Sequence, residues 1–188
     1  MKPAKCCICR CEYVKARPLQ KTCSIKCACA HVEQTKERKK GRADAEDRRQ
    51  TREKLKAMET YPQLVKKAQT AFNSFIRQRD LGKPCISCGR PLSTEPNTHD
   101  AGHYRSVGSA PHMRFVESNT NSQCRHCNNY LGGNHVEYRK GLIARIGLKE
   151  VERIESDQTL RKYTKEALIE IARHYKSEAK RLLKERED

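Results

Sequence analysis

Tryptophan is absent from the 188 residues, phenylalanine occurs three times, and aromatic residues together reach only 5%. With 36% hydrophobic residues in all, the chain has material for one modest core plus attachments, not for a large enzyme with a deep interior. No apolar run approaches the roughly 20 residues that cross a bilayer, which excludes a membrane-spanning helix, and no membrane partner is expected. The opening Met1-Lys2-Pro3-Ala4-Lys5-Cys6 lacks the apolar core of a secretory leader, so a cytosolic protein is expected. Acidic side chains are scarce beside basic ones, 23 against 40, leaving a formal charge of +17. Each Lys or Arg laid on a phosphate releases condensed counterions, so this excess favours a polyanionic partner, nucleic acid first.

Eleven cysteines stand against this background. Their number is odd and the expected compartment reducing, so short regular spacings point to metal rather than to disulfides. Cys85-Ile86-Ser87-Cys88 and Cys124-Arg125-His126-Cys127 form two matched knuckles whose four thiolates satisfy a closed, structural Zn2+. Between them lie 35 residues, an insertion whose ends the metal would tie together. A second set stands at the N-terminus, where Cys6 and Cys9 are followed after 13 residues by Cys23 and Cys27. Cys7, Cys11, Cys29 and His31 lie close enough to compete, and paired spacing selects Cys6, Cys9, Cys23 and Cys27 for a second Zn2+. Lys2, Lys5, Arg10, Lys15, Arg17 and Lys21 make that small module basic, suited to an appendage that touches DNA or a partner.

Composition and periodicity divide the chain into a four-cysteine zinc module over residues 1–32, a charged helical linker over 33–60, a core over 61–157 and a basic helix over 158–188. From Glu33 to Lys56, ten basic and six acidic side chains crowd 24 residues, so this segment is a solvated helix or a disordered linker, with Gly41 weakening helical continuity. Pro62, then Leu64, Val65, Ala68, Ala71, Phe72, Phe75 and Ile76, predict an amphipathic helix that stops before Gly82 and Pro84. Tyr138, Leu142, Ile143 and Ile146 predict another, closed by Gly147. Leu148, Val151 and Ile154 continue as a short third, and Thr164 caps a final long helix.

Within the insertion stand His99-Asp100-Ala101-Gly102-His103-Tyr104-Arg105, Arg114-Phe115, Asn119, and Asn128 directly after the last cysteine. A histidine framed by two Cys knuckles, with one Asn before the second pair and one after it, resembles the zinc-containing HNH nucleases of the phage endonuclease VII type. Ala101-Gly102-His103-Tyr104-Arg105, Ala110-Pro111, Gln123-Cys124, Cys127-Asn128, Gly133-Asn134 and Ile143-Ala144-Arg145-Ile146-Gly147 resemble more closely the NinG, or Rap, recombination proteins of lambdoid phages.

That resemblance implies an α+β fold with a zinc-stapled ββα-metal core: a hairpin bearing the histidine, a helix starting near Cys127, and one divalent cation between them. It implies cleavage of branched DNA, such as Holliday junctions and D-loops, by a phage-encoded enzyme in the bacterial cytoplasm. Phage or host recombination proteins are further implied partners, and a homodimer would supply two centres for two symmetric cuts. The implied catalytic set is His103, Asn119, Asn128 and Asp100. His103 would take a proton from water, Asp100 and Asn128 would hold Mg2+ or Mn2+, and Asn119 would brace the hairpin loop. Asp100 lies three positions before the histidine, where the endonuclease VII pattern has its acidic ligand immediately before it. His99, Glu117 and Glu137 therefore stay open as alternative ligands. Arg105, Arg114 and Arg125 flank the centre as candidate phosphate contacts.

Overall fold

The computed structural model describes residues 3–95 and 98–187. Lys2 of the basic N-terminal module and Asp188 at the end of the tail lie outside the described residues. Helices and small antiparallel sheets make an α+β chain, and it divides into two units, one ending at Glu59 and the other beginning at Thr60.

In the first unit β1 (Ala4–Lys5) pairs antiparallel with β2 (Glu12–Tyr13), Ala4 opposite Tyr13 and Lys5 opposite Glu12. The knuckle between them closes through the Cys6 N–H on the Cys11 carbonyl at 2.9 Å. Ser24 then accepts the Cys27 N–H at 3.3 Å and starts α1 (Ile25–Ala57). This helix is continuous through Gly41 and begins upstream of position 33, so Cys27 and Cys29 stand in its first turns. The residues around Gly41 are mostly Lys, Arg, Glu and Ala, strong helix formers that outweigh the roughly 1 kcal/mol cost of one glycine. Lys54 and Lys56 in the last turn complement the helix dipole. None of its residues is buried within the described structure.

The second unit begins with α2 (Tyr61–Arg79), whose entry is fixed by the Thr60 N–H donating to Gln63 Oε1 at 2.8 Å and by Pro62 in the first turn. Its stripe of Leu64, Ala68, Phe72, Phe75 and Ile76 is buried against Leu168, Tyr175 and Ala179 of α5 (Lys165–Glu187). The C-terminal helix therefore completes the core. Ala101 and Phe115 close the same cluster from the insertion.

There β3 (His99–His103) and β4 (Thr120–Cys124) form an antiparallel pair, with His99 opposite Cys124 and His103 opposite Thr120. A second apolar cluster joins Tyr138 and Leu142 of α3 (His135–Ile146) to Val151 and Ile154 of α4 (Leu148–Ser156). A Cβ built on Gly141 of α3 would stand 1.9 Å from the Ile86 carbonyl oxygen, so helix and first knuckle meet backbone to backbone. Only a five-residue π-helical turn, His126–Tyr130, follows β4. The regular helix expected near Cys127 starts instead at His135, after Asn134 takes a left-handed φ of 46°.

Asp80, 1% exposed, ties these pieces together. Its Oδ2 accepts from Arg79 Nη2 at 2.8 Å and from the Ser122 N–H of β4 at 2.9 Å, while Oδ1 accepts from Lys83 Nζ at 3.0 Å. Arg145 of α3 stands 3.6 Å from the same carboxylate. Burial by itself would raise the Asp80 pKa, but the Arg79 contact, the Ser122 amide and Lys83 hold it below the ordinary carboxylate value. A depressed folded-state pKa contributes stability that is present above the unfolded value and lost as pH falls through the folded one. Acid unfolding followed by circular dichroism should therefore begin below about pH 4, and Asp80→Ala should lose roughly 3–5 kcal/mol at neutral pH by leaving Arg79 without its partner. An Asp80→Ala chain as stable as the parent would refute this role.

Candidate functional site

Each cysteine set converges. One sulfur from each of Cys85, Cys88, Cys124 and Cys127 lies within 4.8 Å of the others, and the same holds for Cys6, Cys9, Cys23 and Cys27. The Cys88–Cys124 and Cys23–Cys27 sulfurs are 3.8 Å apart. Tetrahedral Zn–S bonds of about 2.3 Å require a separation of about that size. Four soft donors in this arrangement could hold zinc, and no fifth protein ligand is needed. Cys11 comes within 3.1 Å of Cys9 but lies outside the mutually close four.

Around the second set, the Cys124 N–H donates to Cys85 Sγ at 3.3 Å and Asn134 Nδ2 to Cys127 Sγ at 3.5 Å. Such donors favour charged sulfur. Burial raises the Cys88 thiol, yet the Arg90 amide and the neighbouring thiols bring it down to about 7. Asn134 was invisible as a partner of the cysteines, although the Gly133-Asn134 pair marked its position.

The hairpin spreads the remaining candidates over two faces. Alternation along β3 sends Ala101 and His103 toward α2, where Ala101 joins the core and the His103 ring lies 6.2 Å from that of Phe72. Asp100 and Gly102 face the other way. Asp100 Oδ2 accepts from Asn128 Nδ2 at 3.1 Å and from Asn129 Nδ2 at 3.2 Å. The structure thus brings Asp100 and Asn128 together, adds Asn129, and leaves His103 on the opposite face of the strand. His99, buried on the His103 side, has no hydrogen-bond partner at Nε2 among the described residues. Glu117 accepts from Tyr175 and Glu137 from Lys140, so neither alternative carboxylate is drawn to Asp100. Burial lowers the Arg77 pKa and the charge of Asp100 partly restores it, which places Arg77 within electrostatic reach of that carboxylate.

Beneath Asp100, Gly102 admits Gln123. A Cβ at position 102 would stand 2.2 Å from Gln123 Oε1, and the Gln123 amide donates to Ser87 Oγ at 2.7 Å and to the Gly133 carbonyl at 2.6 Å. Gln123 thereby links the first knuckle, the hairpin and the turn after the second knuckle.

His103 Nε2 lies 2.9 Å from the Arg114 carbonyl oxygen. A carbonyl only accepts, so the proton resides on Nε2 and Nδ1 of the neutral ring carries the free lone pair. Burial lowers the His103 pKa, the hydrogen bond offsets part of this, and the Arg114 charge lowers it further. The ring is therefore neutral at pH 7.

The loop that presents the Arg114 carbonyl is braced by Asn119. Fully buried, Asn119 accepts the Arg105 N–H at 2.8 Å and donates to the Arg105 and Met113 carbonyls at 3.1 and 3.3 Å. Arg105, a candidate phosphate contact by position, instead donates to the Ile154 and Asp157 carbonyls at the end of α4. Tyr104 packs on Tyr138 and donates to Glu155. Arg125 and His126, the two residues inside the second knuckle, are exposed.

No helix among the described residues is long and apolar enough to cross a membrane. These features define a basic α+β protein in two units, each built on a cluster of four cysteines. A family profile described as "Bacteriophage Lambda NinG protein" matches residues 1–186, and the chain belongs to that family. It is 46% identical over 118 residues to Protein ninG of Salmonella phage P22, covering 63% of this chain and 57% of that protein. It is 44% identical over 124 residues to Protein ninG of Escherichia phage lambda, covering 66% of this chain and 59% of that protein. The chain thus matches less than two thirds of the length of these relatives. No solved structure matches.

The two cysteine sets set an expected stoichiometry. Elemental analysis of the purified protein should find two zinc ions per chain, falling to one in Cys23→Ser. Cys124→Ser should also hold one, and it should lose cooperative unfolding of the second unit, because the metal ties together the ends of its insertion. A fully folded chain with no zinc would remove both assignments.

Proposed function

We propose that this protein is a divalent-metal-dependent HNH endonuclease that hydrolyses phosphodiester bonds in branched recombination intermediates, Holliday junctions and D-loops among them. The observation that carries the reading is His103: a neutral imidazole with its proton fixed on Nε2 by the Arg114 carbonyl, in a hairpin loop braced by a buried asparagine. Such a ring suits a general base, whose Nδ1 takes the proton from the attacking water. Asp100 and Asn128 supply hard oxygen donors of the kind Mg2+ or Mn2+ prefers, and the bound ion would supply positive charge against the phosphorane oxygens and the departing 3′ oxygen. Arg77 adds positive charge within electrostatic reach of the same carboxylate. Preference for branched over linear DNA rests on the family resemblance, since a small metal-assisted centre reads phosphate geometry and other surfaces choose the substrate.

A second reading has one observation in its favour. Asp100 and His103 lie on opposite faces of β3, which suits a hairpin kept as scaffold in a noncatalytic DNA-binding accessory protein.

The two readings separate when zinc-loaded protein with Mg2+ or Mn2+ is incubated with a labelled four-way junction, a displacement loop and a linear duplex. The nuclease cuts the branched DNAs, and His103→Ala slows cutting by about 10²- to 10⁴-fold while retaining binding. Because the His103 pKa is lowered, the acid limb of the pH–rate profile should have its midpoint below the ordinary imidazole value of about 6.5. Tight binding without cutting under either metal selects the accessory reading.

A further inference from the structure

Beside the hairpin, the first turns of α2, the loop before β4 and the approach to α5 enclose a groove of about 600 Å3, the size of an ordinary ligand site. Four cations line it, Lys66, Arg114, Arg161 and Lys162, and no Asp or Glu is among its lining residues. Arg114 Nη1 is held by the neutral Gln69 Oε1 at 3.2 Å, and none of the four forms a salt bridge among the described residues. Several arginines elsewhere in the second unit do pair with carboxylates, as in Arg139–Glu155 and Arg181–Glu178. Unneutralised like charges around one concavity repel each other, and an anion entering it removes that cost.

Three rings occupy the same groove. Tyr61, 44% exposed, stands at its mouth. Tyr163 is anchored by its hydroxyl on the His112 carbonyl at 2.8 Å and meets Phe115 edge to face at 5.0 Å. Cations that track a backbone and rings that take a base face are the two components of a single-strand site. Stacked bases in a duplex offer no free face to such rings. Moreover, the residue whose side chain lines the groove, Arg114, is the one whose carbonyl holds His103.

We propose that this groove binds an unpaired strand of DNA and leads it toward His103. The proposal deepens the nuclease reading by naming what a branch offers that a linear duplex lacks, and it rests on that reading only for the fate of the bound strand.

Binding is measured by fluorescence anisotropy on the full-length, zinc-loaded protein without added magnesium or manganese. A labelled oligothymidylate is compared with a duplex of matched length. The protein should bind the single strand more tightly than the duplex. The double variant Arg161→Ala/Lys162→Ala should weaken single-strand binding at least tenfold and reduce the slope of log affinity against log salt by roughly 1.4, two phosphate contacts. Tyr61→Ala should weaken it roughly tenfold and leave that slope unchanged. All these side chains are exposed, so thermal unfolding of the variants should match the parent. Variants that bind single strand like the parent, or that lose duplex and single strand by one common factor, overturn the proposal. If the parent cuts branched DNA and the variants cut it equally well, the groove fails and the nuclease stands. If the variants lose single-strand binding in a protein that cuts nothing, the groove stands and the nuclease fails.

Discussion

Asp80 carries its charge with almost no access to water, and the register of the hairpin depends on it. A buried carboxylate of this kind is tolerable only where several donors meet it at once. Those donors come from α2, from the turn after it and from β4, and Arg145 of α3 adds its charge at 3.6 Å. Arg79 does more than neutralise Asp80: its Nη2 also donates to the Thr120 carbonyl at 2.8 Å, and its Nη1 to the Glu117 carbonyl at 3.1 Å. Arg145 in turn donates to Asn121 Oδ1 at 2.8 Å. Three successive residues of β4, Thr120, Asn121 and Ser122, are therefore pinned to one ionic centre. A slip of one residue along this strand would exchange the faces of its side chains. Cys124 would then leave its knuckle partners, and Asn119 would leave the loop it braces.

This dependence explains which parts of the structure could be read from the chain alone. The helices follow from three- and four-residue apolar steps, which depend on neighbours in sequence. The cysteine sets follow from spacing, because a tetrahedral metal imposes short intervals within each pair. His103, Asn119 and Asn128 could be singled out by resemblance. Asp80 could not, since its partners Ser122 and Arg145 lie far along the chain and an Asp at a helix end reads as an ordinary solvated residue. Gln123 and Arg77 were hidden for the same reason. Arg105 shows the opposite failure: a cation beside the candidate centre suggests phosphate, yet its guanidinium caps α4. In α1, weak local preference at Gly41 was overruled by the strong helix formers on both sides.

The two faces of β3 carry different kinds of chemistry. On one, a core of apolar rings dries the surroundings of His103 and keeps the imidazole neutral. On the other, amides collect around Asp100 and leave it within electrostatic reach of Arg77. Gly102 shares the Asp100 face, and its missing side chain is what lets Gln123 reach across to Ser87 and Gly133. The hairpin is thus braced on its polar face by amide hydrogen bonds and on its apolar face by α2. Both braces are needed if a two-stranded sheet, marginal by itself, is to hold His103 and the Asp100–Asn128 pair in fixed positions.

The charge of the chain is likewise unevenly used. On α5 and α4, arginines meet glutamates three or four residues away, and these pairs leave little net field. In the groove lined by the Arg114 side chain no carboxylate intervenes, so four cations stand together unneutralised at the surface of the second unit. Focusing of this kind raises the local concentration of a polyanion before any specific contact forms. It is also selective in a way that total charge is not. Aromatic rings in the same concavity reward a strand whose bases are free to turn out, and branched DNA can offer such bases where strands part. If the proposed site works as a nuclease, its preference for branches need not reside in the reacting groups at all. It can arise from where the strand must lie to bring a phosphate past Arg114 to His103.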